Sequence, residues 1–184
     1  MKVVALGGSP RLKGNTNYLI DRALEELAAR GIETEKIVLN QCKIAGCQAH
    51  SNCGEAKECL QKDDGVWILD KYLKADGLIV ASPVYGGTVS AQMKTFIDRT
   101  YFFFHHRLTV NAKCAGIIAI DGRGGSEETS KELSKLFRSD KIKTFVLAGH
   151  AGKPDTDPAQ QSELIEKART MGRQMADVLL GQNH

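Results

Sequence analysis

Apolar positions follow two regimes along the 184 residues: short unbroken runs, and longer stretches where they return every three or four positions. The unbroken runs are Val3-Val4-Ala5-Leu6, Gly77-Leu78-Ile79-Val80-Ala81 and Cys114-Ala115-Gly116-Ile117-Ile118-Ala119-Ile120. A run without polar alternation predicts a strand covered on both faces. Residues 33–39 begin charged and end apolar, which suits a strand near a sheet edge, and residues 142–148 form the last strand. Between them lie helical patterns. Leu19, Ile20, Ala23, Leu24, Leu27 and Ala28 share one face of a helix over 16–30, stopped by Gly31. Asp63 or Asp64 caps a helix carrying Val66, Trp67, Leu69, Tyr72 and Leu73. Further helices are expected over 90–99, after Ser126, and over 158–180, where Leu164, Ile165, Ala168, Met171, Met175, Ala176 and Leu179 form the inner face. Five strands alternating with helices predict a doubly wound parallel α/β sheet, helices on both faces, in one domain over 1–184.

In such a sheet the ligand sits at the carboxyl ends of the strands, where strand order reverses. Three Gly-rich loops are expected there. The first strand empties into Gly7-Gly8-Ser9-Pro10-Arg11-Leu12-Lys13-Gly14-Asn15-Thr16, so free backbone N–H groups and the positive end of a helix dipole converge, as a phosphate requires. Neither G-x-x-x-x-G-K-[ST] nor G-x-G-x-x-G is present, which points to a single terminal phosphate rather than a nucleoside triphosphate or dinucleotide. The second loop is Ser82-Pro83-Val84-Tyr85-Gly86-Gly87, the third Asp121-Gly122-Arg123-Gly124-Gly125-Ser126.

Two stretches carry a resemblance. Gly8-Ser9-Pro10-Arg11-x-x-Gly14-Asn15-Thr16 and Ser82-Pro83-Val84-Tyr85-x-Gly87, the latter followed by Lys94-Thr95-Phe96-Ile97-Asp98-Arg99, resemble the flavin-binding loops of the flavodoxin-like NADPH-dependent FMN reductases and their iron-sulfur flavoprotein relatives. The resemblance implies a flavodoxin-like five-stranded sheet of order 2-1-3-4-5 and FMN at its switch point. It implies cofactor contacts from Ser9, Arg11, Gly14, Asn15 and Thr16, from Pro83, Val84, Tyr85 and Gly86, and from Asp121, Gly122, Arg123 and Gly124. NAD(P)H would be the co-substrate, with no side-chain acid, base or nucleophile required of the protein.

Charge and cysteine content narrow the picture. The net charge is only +3 with basic residues scattered, so neither nucleic acid nor an anionic membrane is an expected partner. No apolar stretch approaches the roughly 20 residues of a membrane span, and the first strand starts at once, so the expected location is cytoplasmic. Four of the five cysteines fall in one segment over 41–60, which in a reducing compartment favours metal chemistry over disulfides. Iron-sulfur flavoproteins carry a compact C-x2-C-x2-C-x(4–7)-C run for a [4Fe-4S] cluster here. This chain reads Cys47, His50, Cys53 and Cys59, with histidine at the second position. The alternatives are His50 on iron, Cys42 as fourth thiolate, a Cys3His zinc set, or no metal. Cys114 reads as a small buried hydrophobe.

The expected function is an FMN-dependent NAD(P)H oxidoreductase passing electrons to a redox protein or small molecule. The alternative is a non-enzymatic flavodoxin-like carrier; such carriers are usually acidic, and this chain is not. Tyr101-Phe102-Phe103-Phe104 mark either a buried helix end or a subunit interface of a homodimer or homotetramer. His105 and His106 carry no expected catalytic role, and Asp98 and Arg99 are candidates for an ion pair.

Overall fold

A computed structural model of the protein describes residues 1–137, 139–152 and 158–182. Five strands, β1 (Lys2–Gly7), β2 (Glu33–Val38), β3 (Gly77–Tyr85), β5 (Cys114–Asp121) and β6 (Lys143–His150), form a parallel sheet in the order β2-β1-β3-β5-β6. A sixth, two-residue strand, β4 (Thr88–Val89), folds back antiparallel on the end of β3. Counted over the parallel strands alone, this is the expected 2-1-3-4-5 order.

Strand alternation sends successive side chains to opposite faces, and each face meets its own helices. Val3, Ala5, Ile79, Ile118 and Ile120 pack against α1 (Asn15–Ala29) and α6 (Pro158–Leu180). Val4, Leu6, Leu78, Val80 and Ile117 pack against α2 (Gly65–Lys74), α3 (Ala91–Arg99) and α5 (Ser126–Ser134). The central strands β1, β3 and β5 are therefore buried almost end to end, whereas β2 at the edge buries only Ile37. Gly31 stops α1 as expected, at φ +75°, with Gly31 N–H on Ala28 O and Ile32 N–H on Leu27 O. Gly172 permits α6 to lie against α1: a Cβ there would stand 2.3 Å from the Ala23 carbonyl oxygen.

Two expectations need correction. The second Gly-rich loop is largely strand: β3 runs on to Tyr85, Pro83 opposite Ile120, and turns back at Gly86 and Gly87, φ +62° and +80°, into β4. Positive φ at both central residues is the turn that matches strand twist, and glycine adopts it without steric cost. Asp98 does not pair with Arg99. Lys94 holds Asp98 at 2.5 Å, and Arg99 turns inward to Asp63.

Candidate functional site

The carboxyl edge of β1 leads into residues 8–14, and α1 begins with Gly14 as its N-cap. Among the described residues no side chain caps this helix and no acid occupies its first turn, so its positive end is not offset by a carboxylate there. Three side chains expected at a ligand have these surroundings in the protein. Ser9 Oγ accepts from Arg11 N–H at 3.2 Å, Asn15 Nδ2 donates to the Gly152 carbonyl at 3.3 Å, and Thr16 is buried. Arg11 is exposed at the rim. Asn17 was missed in the sequence. Fully buried, it donates through Nδ2 to the Arg11 carbonyl at 2.8 Å and so holds the loop in its curve. Its Oδ1 finds no hydrogen-bond partner among the described residues and would stand 2.5 Å from a Cβ on Gly7, so a larger residue at position 7 would displace the Asn17 side chain.

The second loop locks onto the first, and the third packs on the second. Gly8 N–H donates to Ala81 O at 2.8 Å, and Ser90 Oγ donates to Gly8 O at 2.6 Å while accepting from Met93 N–H as the N-cap of α3. Ser82 Oγ accepts from Ser90 N–H at 2.9 Å. Gly125, φ +97°, lies against Val84; a Cβ there would approach its Cγ1 to 3.2 Å. The loops after β1, β3 and β5 thus meet at one edge, with Tyr85, Gly86, Gly122, Arg123 and Gly124 exposed around it. Pro83 is buried and Val84 half-buried.

Asp121 organises the third loop from below. Its buried carboxylate accepts Gly124 N–H at 2.7 Å, Ser126 N–H at 3.1 Å and His150 Nδ1 at 2.7 Å. Burial alone would raise its pKa; the His150 contact and the Gly124 and Ser126 donors outweigh that and bring it to about 2. The carboxylate is therefore ionised, and the imidazole nitrogen is the donor. His150, at the end of β6, is a further residue the sequence did not reveal.

The cysteine segment starts beside the first loop, with Asn40 Nδ2 on Pro10 O at 3.4 Å. Cys47 is exposed, Cys53 and Cys59 are half-buried, and His50 is exposed. Burial pushes the Cys53 thiol up, and the sulfurs of Cys59 and Cys47 push it further. Cys42 is turned away. Its Sγ lies 3.6 Å from Val38 O, packed against the α2–α3 side of the core, and the charged group acting on it is Asp64. That separation argues against Cys42 as the fourth thiolate. Among the described residues, no three or more His, Cys, Asp or Glu side chains stand together as a metal site. A four-thiolate cluster therefore does not fit this segment as it lies: its cysteines are not gathered, and the second position of the run is an imidazole facing solvent. Cys114 is fully buried, its thiol pushed up to about 12 by burial, as expected of a small core residue.

The aromatic stretch forms a separate short helix, α4 (Tyr101–His105). Phe102 and Phe103 pack on the core, Phe103 stacking at 6.1 Å on Tyr72, whereas Phe104 is 75% exposed and stacks on half-exposed Tyr101. One side of this short helix is thus the buried helix end that was expected, and the other side leaves Tyr101 and Phe104 exposed. No helix among the described residues is long and apolar enough to cross a membrane.

A five-stranded parallel sheet with three loops gathered at its switch point and a bare helix terminus among them defines the flavodoxin-like class. Known structures agree. An NAD(P)H:quinone oxidoreductase from Methanothermobacter marburgensis superposes with a TM-score of 0.72 at 19% identity over 100% of this chain and 98% of its own. An archaeal flavodoxin gives 0.62 at 14% identity over 98% and 99%. The chain belongs to the NADPH-dependent FMN reductase family, whose sequence profile it matches over residues 1–152, and is thereby a flavin-dependent oxidoreductase. Among its relatives, an iron-sulfur flavoprotein of Methanocaldococcus jannaschii is 34% identical over 192 aligned positions, 97% of each chain. Another, from Archaeoglobus fulgidus, is 36% identical over 179, covering 96% of this chain and 80% of its own.

Proposed function

We propose that this protein binds one FMN per chain and is reduced by NAD(P)H, passing the electrons to a small-molecule or protein acceptor. The observation that carries this reading is the uncapped, acid-free start of α1 at the sheet's switch point, shaped for one terminal phosphate. Bound FMN supplies the redox chemistry, and the protein's part is binding and orientation. The N–H groups of residues 15–17 hold the phosphate, and Asn17 keeps the preceding loop in shape from beneath. Pro83 and Val84 wall one side of the ring, Tyr85 offers an aromatic face at the rim, and backbone N–H groups around Gly86 face its pyrimidine edge, where reduction deposits negative charge. The 122–124 turn, fixed by ionised Asp121, closes the other side, and Arg11 and Arg123 supply positive charge for a phosphorylated nicotinamide. A second copy covering Tyr101 and Phe104 makes the protein a homodimer or homotetramer.

Comparing FMN with riboflavin, which lacks only the phosphate, tests this assignment. Two or three charge-assisted hydrogen bonds imply FMN tighter by about a hundredfold or more. Equal affinities would remove the α1 terminus from the site.

A further inference from the structure

Arg99 ends α3 and is the largest of the fully buried side chains, so its charge must be answered inside the protein. Nη1 donates to Asp63 Oδ2 at 2.7 Å and to the Ala45 carbonyl at 3.0 Å, and Nη2 donates to Cys59 Sγ at 3.2 Å. These acceptors lie at the two ends of the cysteine segment. Gly65 lies flat against the ion: a Cβ there would stand 2.8 Å from Cζ and from both terminal nitrogens. The same neck is drawn tight by backbone bonds. Asp63 Oδ2 accepts Ala45 N–H at 2.8 Å, Asp64 Oδ2 accepts Lys43 N–H at 2.6 Å, and Asp64 N–H donates to Lys43 O at 3.0 Å. Farther out, Gln61 Nε2 donates to Gly46 O at 2.9 Å, and His106 Nε2 lies 2.9 Å from Cys53 O.

We propose that this buried guanidinium, rather than a bound metal, shapes the cysteine segment: Arg99 is a positioning residue that closes the neck and fixes the Cys59 sulfur while the loop carries no metal. Three acceptors of different chemistry, spread around one planar ion, suit a guanidinium; the compact ammonium of lysine does not span them. A buried ion deprived of one partner is strongly unfavourable, so the neck and the ion stand or fall together. The segment is thus held on a frame that needs no metal to form, with the Cys59 sulfur fixed at its neck.

The test uses FMN-loaded protein stripped of metal with a chelator, with iodoacetamide labelling followed cysteine by cysteine and trypsin cleavage followed after Lys57 and Lys62. Stripped wild type should label at exposed Cys47 while Cys59 stays protected. Arg99→Gln and Asp63→Asn should speed Cys59 labelling and loop cleavage by about tenfold or more, as local opening does, with FMN affinity unchanged. Arg99→Lys should behave like Arg99→Gln. Gly65→Ala keeps every charge and pushes the guanidinium aside, so it should move the same way, and it carries the test should Arg99→Gln not fold. Cys59 protected only in metal-replete wild type and labelled quickly once stripped would overturn the proposal. So would unchanged Cys59 labelling across the variants. A chain that failed to bind FMN would refute the assignment of the flavin site and leave these outcomes readable.

Discussion

Ser90 Oγ donates to the Gly8 carbonyl oxygen at 2.6 Å, joining residues 82 positions apart, the start of α3 and the loop after β1. The same hydroxyl caps α3 by accepting from Met93 N–H at 3.2 Å. Both bonds are buried, so losing them leaves polar groups without partners. Ser90→Ala should cost about 1–3 kcal/mol in urea unfolding and weaken FMN binding, because the first two loops lose their shared anchor. Unchanged FMN affinity would show that the two loops hold their positions independently.

The bare first turn of α1 predicts a charge effect of definite sign. Thr16→Asp places a carboxylate where the structure has none, one that the helix dipole tolerates but that repels an anionic ligand and occupies its place at the positive helix end. FMN should bind weaker by about tenfold or more, with riboflavin far less affected, in a fluorescence titration. An equal loss for both flavins would point to disruption of the helix instead of phosphate repulsion.

Asp121 makes stability depend on pH in the acid range. Its folded pKa lies near 2, below the ordinary 3.8, so its contribution is fully present above about pH 4 and is lost as pH falls from 4 towards 2. The shift corresponds to about 2 kcal/mol. Asp121→Asn should therefore be less stable than wild type by about that amount at pH 7, with the gap closing towards pH 2 in urea unfolding. A gap that stayed constant over this range would mean that packing, and not charge, accounts for the loss.

Gly172 sits at the crossing of α1 and α6, with the Ala23 carbonyl 2.3 Å from the place a Cβ would occupy. Since the obstacle is backbone, Gly172→Ala must push the helices apart, at about 1–3 kcal/mol. Thermal unfolding should show a lower Tm, and FMN affinity should fall with it because α1 carries the phosphate turn. An unchanged Tm would mean the helices separate without cost.

The parallel strands and the first and third loops were legible because each rests on local pattern: unbroken apolar runs, helical spacing, glycines at turns. The strand order came from the family resemblance. What was not legible depends on partners far apart in the chain. Arg99 follows Asp98 directly, and nothing local reveals that its partner is Asp63, 36 positions earlier. Ser82 to Tyr85 look like a loop because Pro83 cannot donate to a ladder, yet β3 pairs through them since Ile120 runs alongside. Asn17 and His150 gain their roles only when the first loop curls over α1 and β6 reaches Asp121. In the sequence Cys42 stands open as an alternative to His50 in the metal set, and only the fold shows its sulfur turned to the Val38 carbonyl and the core.

The central claim is tested most directly by adding NADPH or NADH without oxygen to the purified protein carrying FMN. The account predicts one FMN per chain and loss of the oxidised-flavin absorbance within a single mixing experiment, restored when an electron acceptor is admitted. Protein that holds FMN at full occupancy, and whose flavin neither nicotinamide reduces although dithionite does, would contradict it.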